Sequence, residues 1–199
     1  NTNGAIAYIT LEPCNHFGRT PPCTEALLWA GINEAIVAHG DPNPLVRGNG
    51  ISVLEQAGIK VQSGLLEAEA AEQMREFLHW CKHRRPYVTV KIATDSTGSV
   101  DDLSKDAQRF TSSECLQKVH ELRKDSCAIL VGSNTVIRDD PELTVRLVET
   151  VRQPLRIVID PNNRIDKSSK LLNDGIPVKH LTDNFRGLPA LLDMVGDLE

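Results

Sequence analysis

Residues 11–23 read LEPCNHFGRTPPC, a loop with an apolar run before it and a helical pattern after it. Eight residues separate its two cysteines, Cys14 and Cys23, and three prolines and one histidine share the stretch. A metal site, a disulfide and a tight turn that happens to contain sulfur would each explain such a pattern. On spacing alone, zinc ligation and burial as small apolar side chains are equally favoured.

The elements on either side of the loop give the cysteines a definite setting. The run AIAYITL at residues 5–11 predicts a buried strand, because it is apolar and rich in β-branched residues. A helix is expected to begin after Thr20 and the prolines and to end at Gly31. Cys14 then follows a strand and Cys23 lies in the first turn of a helix, where the helix dipole favours a thiolate. Both sulfurs could therefore face one point.

The rest of the chain alternates between strand and helix patterns, which predicts an α/β fold. Further strands are expected at residues 32–39, 59–64, 87–93, 127–132 and 155–160, and helices at 51–59, at 65–83, after Thr111 with Glu114 in a capping box, and from about Leu188. The helix after Thr111 is expected to bury Cys115, Val119 and Leu122, and a turn is expected around RDDPE. A charged cluster and Pro86 place a boundary near residue 85, giving domains of residues 1–85 and 86–199.

Composition narrows the class of partner. The 199 residues are 40% hydrophobic, which can supply a core, and the net charge of −5 gives no general electrostatic reason to bind nucleic acid or an anionic membrane. We expect a soluble intracellular protein with a small-molecule partner, because no apolar stretch is long enough to span a bilayer. Five cysteines are an odd and sparse set, which disfavours a disulfide framework. Cys81, Cys115 and Cys127 are interpreted as small buried residues.

The segment TLEPCNHFGRTPPC, followed by DPNP at residues 41–44, resembles the deaminase domain of the bifunctional riboflavin-biosynthesis deaminase/reductase family. That family belongs to the zinc deaminases, whose signature is His-x-Glu, then Pro-Cys and a second Cys. The resemblance implies a three-layer cytidine-deaminase-like domain, N-terminally incomplete, in which Cys14 and Cys23 are two of three zinc ligands. The third ligand, a histidine, and the proton-shuttling glutamate are expected upstream of residue 1.

The resemblance also implies a substrate and the residues that contact it. The substrate is a diaminopyrimidinone carrying a ribosylamino 5′-phosphate, and the reaction is its hydrolytic deamination. His16 is expected in the substrate pocket and Arg19 at the phosphate, while Asp41 and Asn43 resemble the substrate-side loop. A loop brace for His16, a solvated arginine for Arg19 and plain turn formation for the other two are the alternatives. Glu12 is interpreted as structural.

The second half resembles the reductase domain of the same family, through YVTVKIA and LRKDSCAILVGSNTVIRDDPELTVR. This implies a dihydrofolate-reductase-like α/β domain, C-terminally incomplete, that uses NADPH to reduce a ribosyl group. Thr135 and Asp139 would lie at NADPH. Arg123, Leu143 and Arg146 would hold the sugar phosphate, and the two guanidinium groups suit a phosphate. Without the resemblance, these residues would be interpreted as structural or surface residues.

Several positions depart from the family pattern and argue against reductase activity. The chain reads TDSTG at residues 94–98, has Ala107, Gln108 and Arg109 where the family has Ser-Gln-Trp, and has Pro161 where a serine is common. The leading interpretation is a zinc deaminase with a weakened or inactive reductase-like domain. A fully bifunctional enzyme and a noncatalytic scaffold with a structural zinc are the alternatives. The resemblance implies the cytoplasm, or the plastid stroma in a plant, and a homodimer through the reductase-like domain.

Overall fold

A computed structural model describes residues 2–18, 20–44, 46, 49–104, 111–182 and 187–196. The chain divides into two compact units. The first comprises the chain up to Val88 together with the segment from Pro189 onward, and the second is Thr89–Leu188. The sequence prediction assigns everything after residue 85 to the second domain, whereas in the structure the last helix groups with the first unit.

Strands and helices alternate along the chain, so the predicted α/β class is confirmed. In chain order the elements are β1 (Ile6–Leu11), α1 (Cys23–Trp29), β2 (Glu34–His39), α2 (Asn49–Gln56), β3 (Lys60–Ser63), α3 (Glu67–Gln73), α4 (Arg75–His83), α5 (Ser113–Asp125), β4 (Ala128–Gly132), α6 (Ser133–Asp139), β5 (Leu155–Ile159), α7 (Lys170–Asn173), β6 (Val178–Leu181) and α8 (Leu188–Gly196). Within the described residues, no helix is both long and apolar enough to span a membrane.

Each unit contains a parallel sheet of three strands, in the order β1-β2-β3 in the first and β4-β5-β6 in the second. The first core is formed by Ile32, Ala35, Leu54 and Ile59, and the second by Val136, Val158, Ile165 and Leu171. In both sheets the middle strand is the most buried, because it has a neighbour on each side. The carboxyl ends of parallel strands lie at one edge, which is where the loops considered below begin.

The predicted strand at residues 87–93 is wrong. The structure describes the whole segment, yet the segment pairs with no strand among the described residues, and Val88, Val90 and Ile92 are exposed. A β-branched run forms a strand only when a neighbouring strand takes up its backbone hydrogen bonds. The β-branched pattern of residues 87–93 is therefore not sufficient to form a strand.

Three helical predictions also need correction. The helix expected at residues 65–83 is two helices, because Met74, at φ −107° and ψ 15°, interrupts it without a proline or glycine nearby. The cap of α5 is Ser112 rather than Thr111, since the Ser112 hydroxyl accepts the Cys115 N–H at 3.3 Å. The third is an omission, because the helix α6 (Ser133–Asp139) precedes the turn expected around RDDPE and ends within it.

The inward face of α5 differs from the predicted one. Its fully buried residue is His120, whereas Cys115 and Leu122 are exposed. The Nδ1 of the buried His120 accepts the Arg146 backbone N–H at 3.0 Å, which satisfies a polar atom in the interior and which apolar periodicity cannot reveal. Of the three cysteines predicted to be buried, Cys81 is, but Cys115 and Cys127 are not.

Candidate functional site

The two candidate loops of the first unit leave the same edge of its sheet. β1 and β2 are parallel neighbours in which Leu11 is paired with His39. The two loops that follow these residues therefore begin side by side. The cysteine loop begins at the first exit and the Asp41–Pro44 turn at the second. The carboxyl edge of a parallel sheet is the common place for a ligand site in α/β proteins.

Cys14 and Cys23 lie in contact at this edge. Cys23 is the first residue of α1, and its backbone N–H donates to Cys14 Sγ at 3.4 Å. The buried Thr24 fastens the loop to the helix, since its N–H donates to Cys14 O at 3.2 Å and its hydroxyl to Asn15 Oδ1 at 2.8 Å. The backbone at the start of α1 therefore holds Cys14 and its sulfur beside Cys23.

The contact between the two thiols favours the neutral form of Cys23. The pKa of the Cys23 thiol is raised above its ordinary value, first by its side-chain hydrogen bond with Cys14, then by burial and by the charge on Cys14. Two neighbouring sulfurs resist joint ionisation unless a positive charge lies beside them. Zinc takes thiolate ligands and would supply that charge, so the chemistry of this donor pair fits zinc.

A complete ligand set is not assembled in the part of the chain that the structure describes. Among those residues, no three His, Cys, Asp or Glu side chains are grouped to hold a metal ion. His16 is exposed in the loop and does not complete such a group with the two thiols. Arg19, the predicted phosphate contact, lies outside the described residues. The structure thus brings Cys14 and Cys23 together, and their ligation of a metal stays a prediction.

Asp41 and Asn43 form the turn at the second exit. The Asp41 carboxylate accepts the Asn43 N–H at 2.8 Å, and the Asn43 carbonyl accepts the Val46 N–H at 2.9 Å. Asp41 is 7% exposed, so its carboxylate is largely enclosed by this turn. These contacts account for turn formation, and a role of either residue toward substrate remains a prediction.

Glu12 is the polar side chain that lies between the two exits. Its side chain is buried, Oε2 accepts the Asp41 N–H at 3.3 Å, and Oε1 accepts the Ile51 N–H in the first turn of α2 at 3.5 Å. Beside it, Pro13 O approaches Gly50 so closely that a Cβ on Gly50 would lie 1.8 Å from that oxygen. Glu12 and Gly50 thus fix the cysteine loop against α2 and the turn.

In the second unit the predicted substrate residues come together around the segment 142–146. Arg123 Nη1 donates to Thr144 O at 3.0 Å, and Arg146 pairs with Glu142 Oε2 at 3.2 Å. Leu143 is 5% exposed and has φ +57°, a left-handed conformation that is uncommon for a residue with a side chain. Strained backbone of this kind is frequent at functional sites.

The predicted NADPH residues lie on α6, directly after β4. Thr135 is half-buried and Asp139 is exposed at the end of the helix. The neighbouring Arg138 donates to both oxygens of Asp101, at 2.7 and 2.8 Å, and so fixes the segment before residue 105. Ala107, Gln108 and Arg109 lie outside the described residues.

Two buried ionic groups support this unit, and sequence reasoning missed both. Arg156, on the middle strand, is 1% exposed at its side chain and donates to both oxygens of Asp174, at 2.6 and 2.8 Å. Asp160, fully buried at the end of the same strand, accepts the N–H groups of Arg164 and Ile165 at 3.0 Å each and faces His180 Nε2 at 3.1 Å. An arginine inside a predicted buried strand was the available signal for the first pair.

Comparison with known proteins identifies the family. The sequence profile described as the RibD C-terminal domain matches residues 86–184. The riboflavin biosynthesis protein RibD of Aquifex aeolicus is 48% identical over 170 residues, covering 85% of this chain and 48% of that protein. RibD of Escherichia coli is 43% identical over 174 residues, covering 81% of this chain and 47% of that protein.

The chain belongs to the RibD family. The solved structure of Acinetobacter baumannii RibD, form 1, superposes with a TM-score of 0.89 at 35% identity, covering 98% of this chain and 60% of that one. A Thermotoga maritima structure described as a diaminohydroxyphosphoribosylaminopyrimidine deaminase/5-amino-6-(5-phosphoribosylamino)uracil reductase gives 0.80 at 30% identity, covering 98% and 59%. These matches confirm the predicted family and fold class. The chain spans about half the length of the curated RibD relatives it matches.

Proposed function

We propose that this RibD chain is a zinc-dependent deaminase of riboflavin biosynthesis that acts on a diaminopyrimidinone nucleotide. The observation that carries the proposal is the contact between Cys14 and Cys23, at 3.4 Å from backbone nitrogen to sulfur, at the carboxyl edge of the first sheet. Two neighbouring thiols, one of them at the start of a helix, suit zinc, which takes thiolate ligands.

The chain's own residues have distinct roles in this proposal. Cys14 and Cys23 hold the metal, and the turn at Asp41 and Asn43 lies at the neighbouring strand exit, where the pyrimidine nucleotide is expected. His16 and Arg19 belong to the same loop as the thiols, on the proposed substrate side. A bound zinc ion supplies an activated water for attack on an amino-bearing ring carbon. The third ligand and the proton-shuttling glutamate are the residues expected upstream of residue 1.

The second candidate function is NADPH-dependent reduction of the ribosyl group by the second unit. The RibD C-terminal domain match and the gathering of Arg123, Leu143 and Arg146 around one segment favour it. The substitutions at Ala107, Arg109 and Pro161 oppose it, so we propose a reductase-like unit with weakened or no reductase activity.

The test uses the complete natural protein and follows ammonia release from the diaminopyrimidinone nucleotide, with NADPH oxidation measured in parallel. We expect ammonia release that a chelator abolishes and zinc restores, with no NADPH oxidation afterwards. Cys14→Ser and Cys23→Ser should abolish it, whereas Cys115→Ser, an exposed thiol in the first turn of another helix, should not. NADPH oxidation would establish the bifunctional enzyme, and loss of both activities in the unmodified protein would favour a scaffold.

A further inference from the structure

We propose that Glu12 is a positioning residue that couples the cysteine loop to the Asp41–Asn43 turn. Through this coupling the two cysteines and the Asp41–Asn43 turn keep a fixed distance from each other. The roles of the cysteines as metal ligands and of the turn toward substrate rest on the proposed function. The role differs from that of a general acid, because the carboxylate is committed to two backbone N–H groups and is 4% exposed.

The coupling runs through a short series of contacts. Glu12 holds the Asp41 N–H with one carboxylate oxygen, and the Asp41 side chain in turn holds the Asn43 N–H. On the other side, Cys14 follows Glu12 after a single buried proline, Pro13, whose ring restricts the backbone between them. A displacement of Glu12 would therefore move both the Asp41–Asn43 turn and the backbone at Cys14.

A second contact of Glu12 holds the cysteine loop and the turn against α2. The other carboxylate oxygen of Glu12 accepts the Ile51 N–H, one of the N–H groups at the start of α2 that have no partner within the helix. Pro13 O lies against Gly50 at the same helix end. Negative charge is favourable at a helix N-terminus, so the carboxylate is well placed to hold the loop on α2.

Glutamine is the informative replacement for Glu12. It has the same shape, but its amide offers one acceptor oxygen and one NH2 group. Since two backbone N–H groups face the side chain, either orientation of the amide leaves one of them facing a donor. The matched control is Asp160→Asn in the second unit, a buried carboxylate that likewise accepts two backbone N–H groups.

The first test can be made on the metal-free protein and does not depend on enzyme activity. Hydrogen exchange of the chain, followed by mass spectrometry, compares the peptides around Cys14, around Asp41 and across β3. We expect Glu12→Gln to speed exchange around both Cys14 and Asp41 and to leave β3 unchanged, while Asp160→Asn alters neither. A change confined to Asp41 and Ile51, or a uniform change that includes β3, would overturn the coupling.

The second test uses the complete natural protein loaded with zinc. Removal of groups that orient metal ligands commonly weakens metal binding by about 10–100-fold. We expect Glu12→Gln to release zinc to a chelator about tenfold faster and to raise KM for the nucleotide at saturating zinc, with a smaller change in kcat. Unchanged zinc release and KM would contradict the proposal. If the unmodified protein held no zinc, the proposed function would fail, whereas the exchange experiment would still decide the coupling.

Discussion

The backbone N–H of Cys23 points at the sulfur of Cys14 from 3.4 Å. The main chain at the start of α1 therefore holds the Cys14 sulfur beside the backbone of Cys23, and Thr24 bonds to the carbonyl of Cys14. The Cys23 side chain also interacts with that of Cys14, so the two thiols are neighbours. Two neighbouring thiols are the physical basis of the zinc proposal.

Zinc binding should release protons and should strengthen as the pH rises. Because the pKa of Cys23 is raised by its contact with Cys14 and by burial, the metal-free thiol holds its proton at neutral pH. Protons then compete with zinc, and binding through the Cys23 thiolate should release at least about one proton at pH 7. Calorimetry of the zinc-free protein in buffers of different ionisation enthalpy measures this number. Release of none would show that the thiols are not the ligands.

Gly50→Ala should destabilise the first unit and disturb the cysteine loop. The added Cβ would lie 1.8 Å from Pro13 O, a backbone atom that cannot be moved aside cheaply. Gly132→Ala is the control, because a Cβ there meets nothing within 4 Å and its φ of −83° suits alanine. We expect thermal unfolding to shift to lower temperature for the first variant only. Equal melting temperatures would show that Pro13 and α2 separate more readily than this contact implies.

The parts of the structure that are encoded locally could be predicted from the sequence. Strands β1 and β4 were found because β-branched apolar runs identify them, and the cysteine pair was found because its motif is specific. Residues 87–93 have the same local pattern, but the structure gives them no strand, because pairing depends on a neighbour that the segment itself does not encode.

Long-range polar contacts account for the remaining misses. Burial of His120 depends on Arg146, which is 26 residues away in the sequence. The position of Glu12 depends on Asp41 and Ile51, 29 and 39 residues away. No periodicity or spacing in the sequence reports such pairs. The sequence therefore predicts the candidate residues of the site, but not the long-range contacts that position them.

Arg156→Met should strongly destabilise the second unit. Arg156 is buried on the middle strand and bonds to Asp174 and to the carbonyls of Glu142 and Leu171. Removing one partner of a buried ion pair typically costs about 3–5 kcal/mol of unfolding free energy. Arg75→Met removes an exposed arginine that pairs with two glutamates and should have little effect. Urea unfolding measures both, and a small loss for Arg156→Met would contradict the assigned role of the pair.

The same pair should make the second unit sensitive to acid. The hydrogen bond from Arg156 lowers the pKa of Asp174 below its ordinary value, although burial opposes the shift. The stabilisation is complete above the unfolded pKa of about 3.9 and is lost as the pH falls toward the folded value. We expect unfolding free energy to fall on acidification below about pH 4, and to fall less steeply in Asp174→Asn. Identical slopes of unfolding free energy against pH in the two proteins would show that Asp174 does not cause the acid sensitivity.

The central claim is that Cys14 and Cys23 ligate zinc, and X-ray absorption at the zinc edge tests it most directly. The complete natural protein, purified without a metal-binding tag and loaded with zinc, should show two sulfur neighbours at about 2.3 Å together with nitrogen or oxygen neighbours. Cys23→Ser should remove one sulfur neighbour, and Cys115→Ser should remove none. A spectrum with only nitrogen and oxygen neighbours in the unmodified protein would contradict the claim.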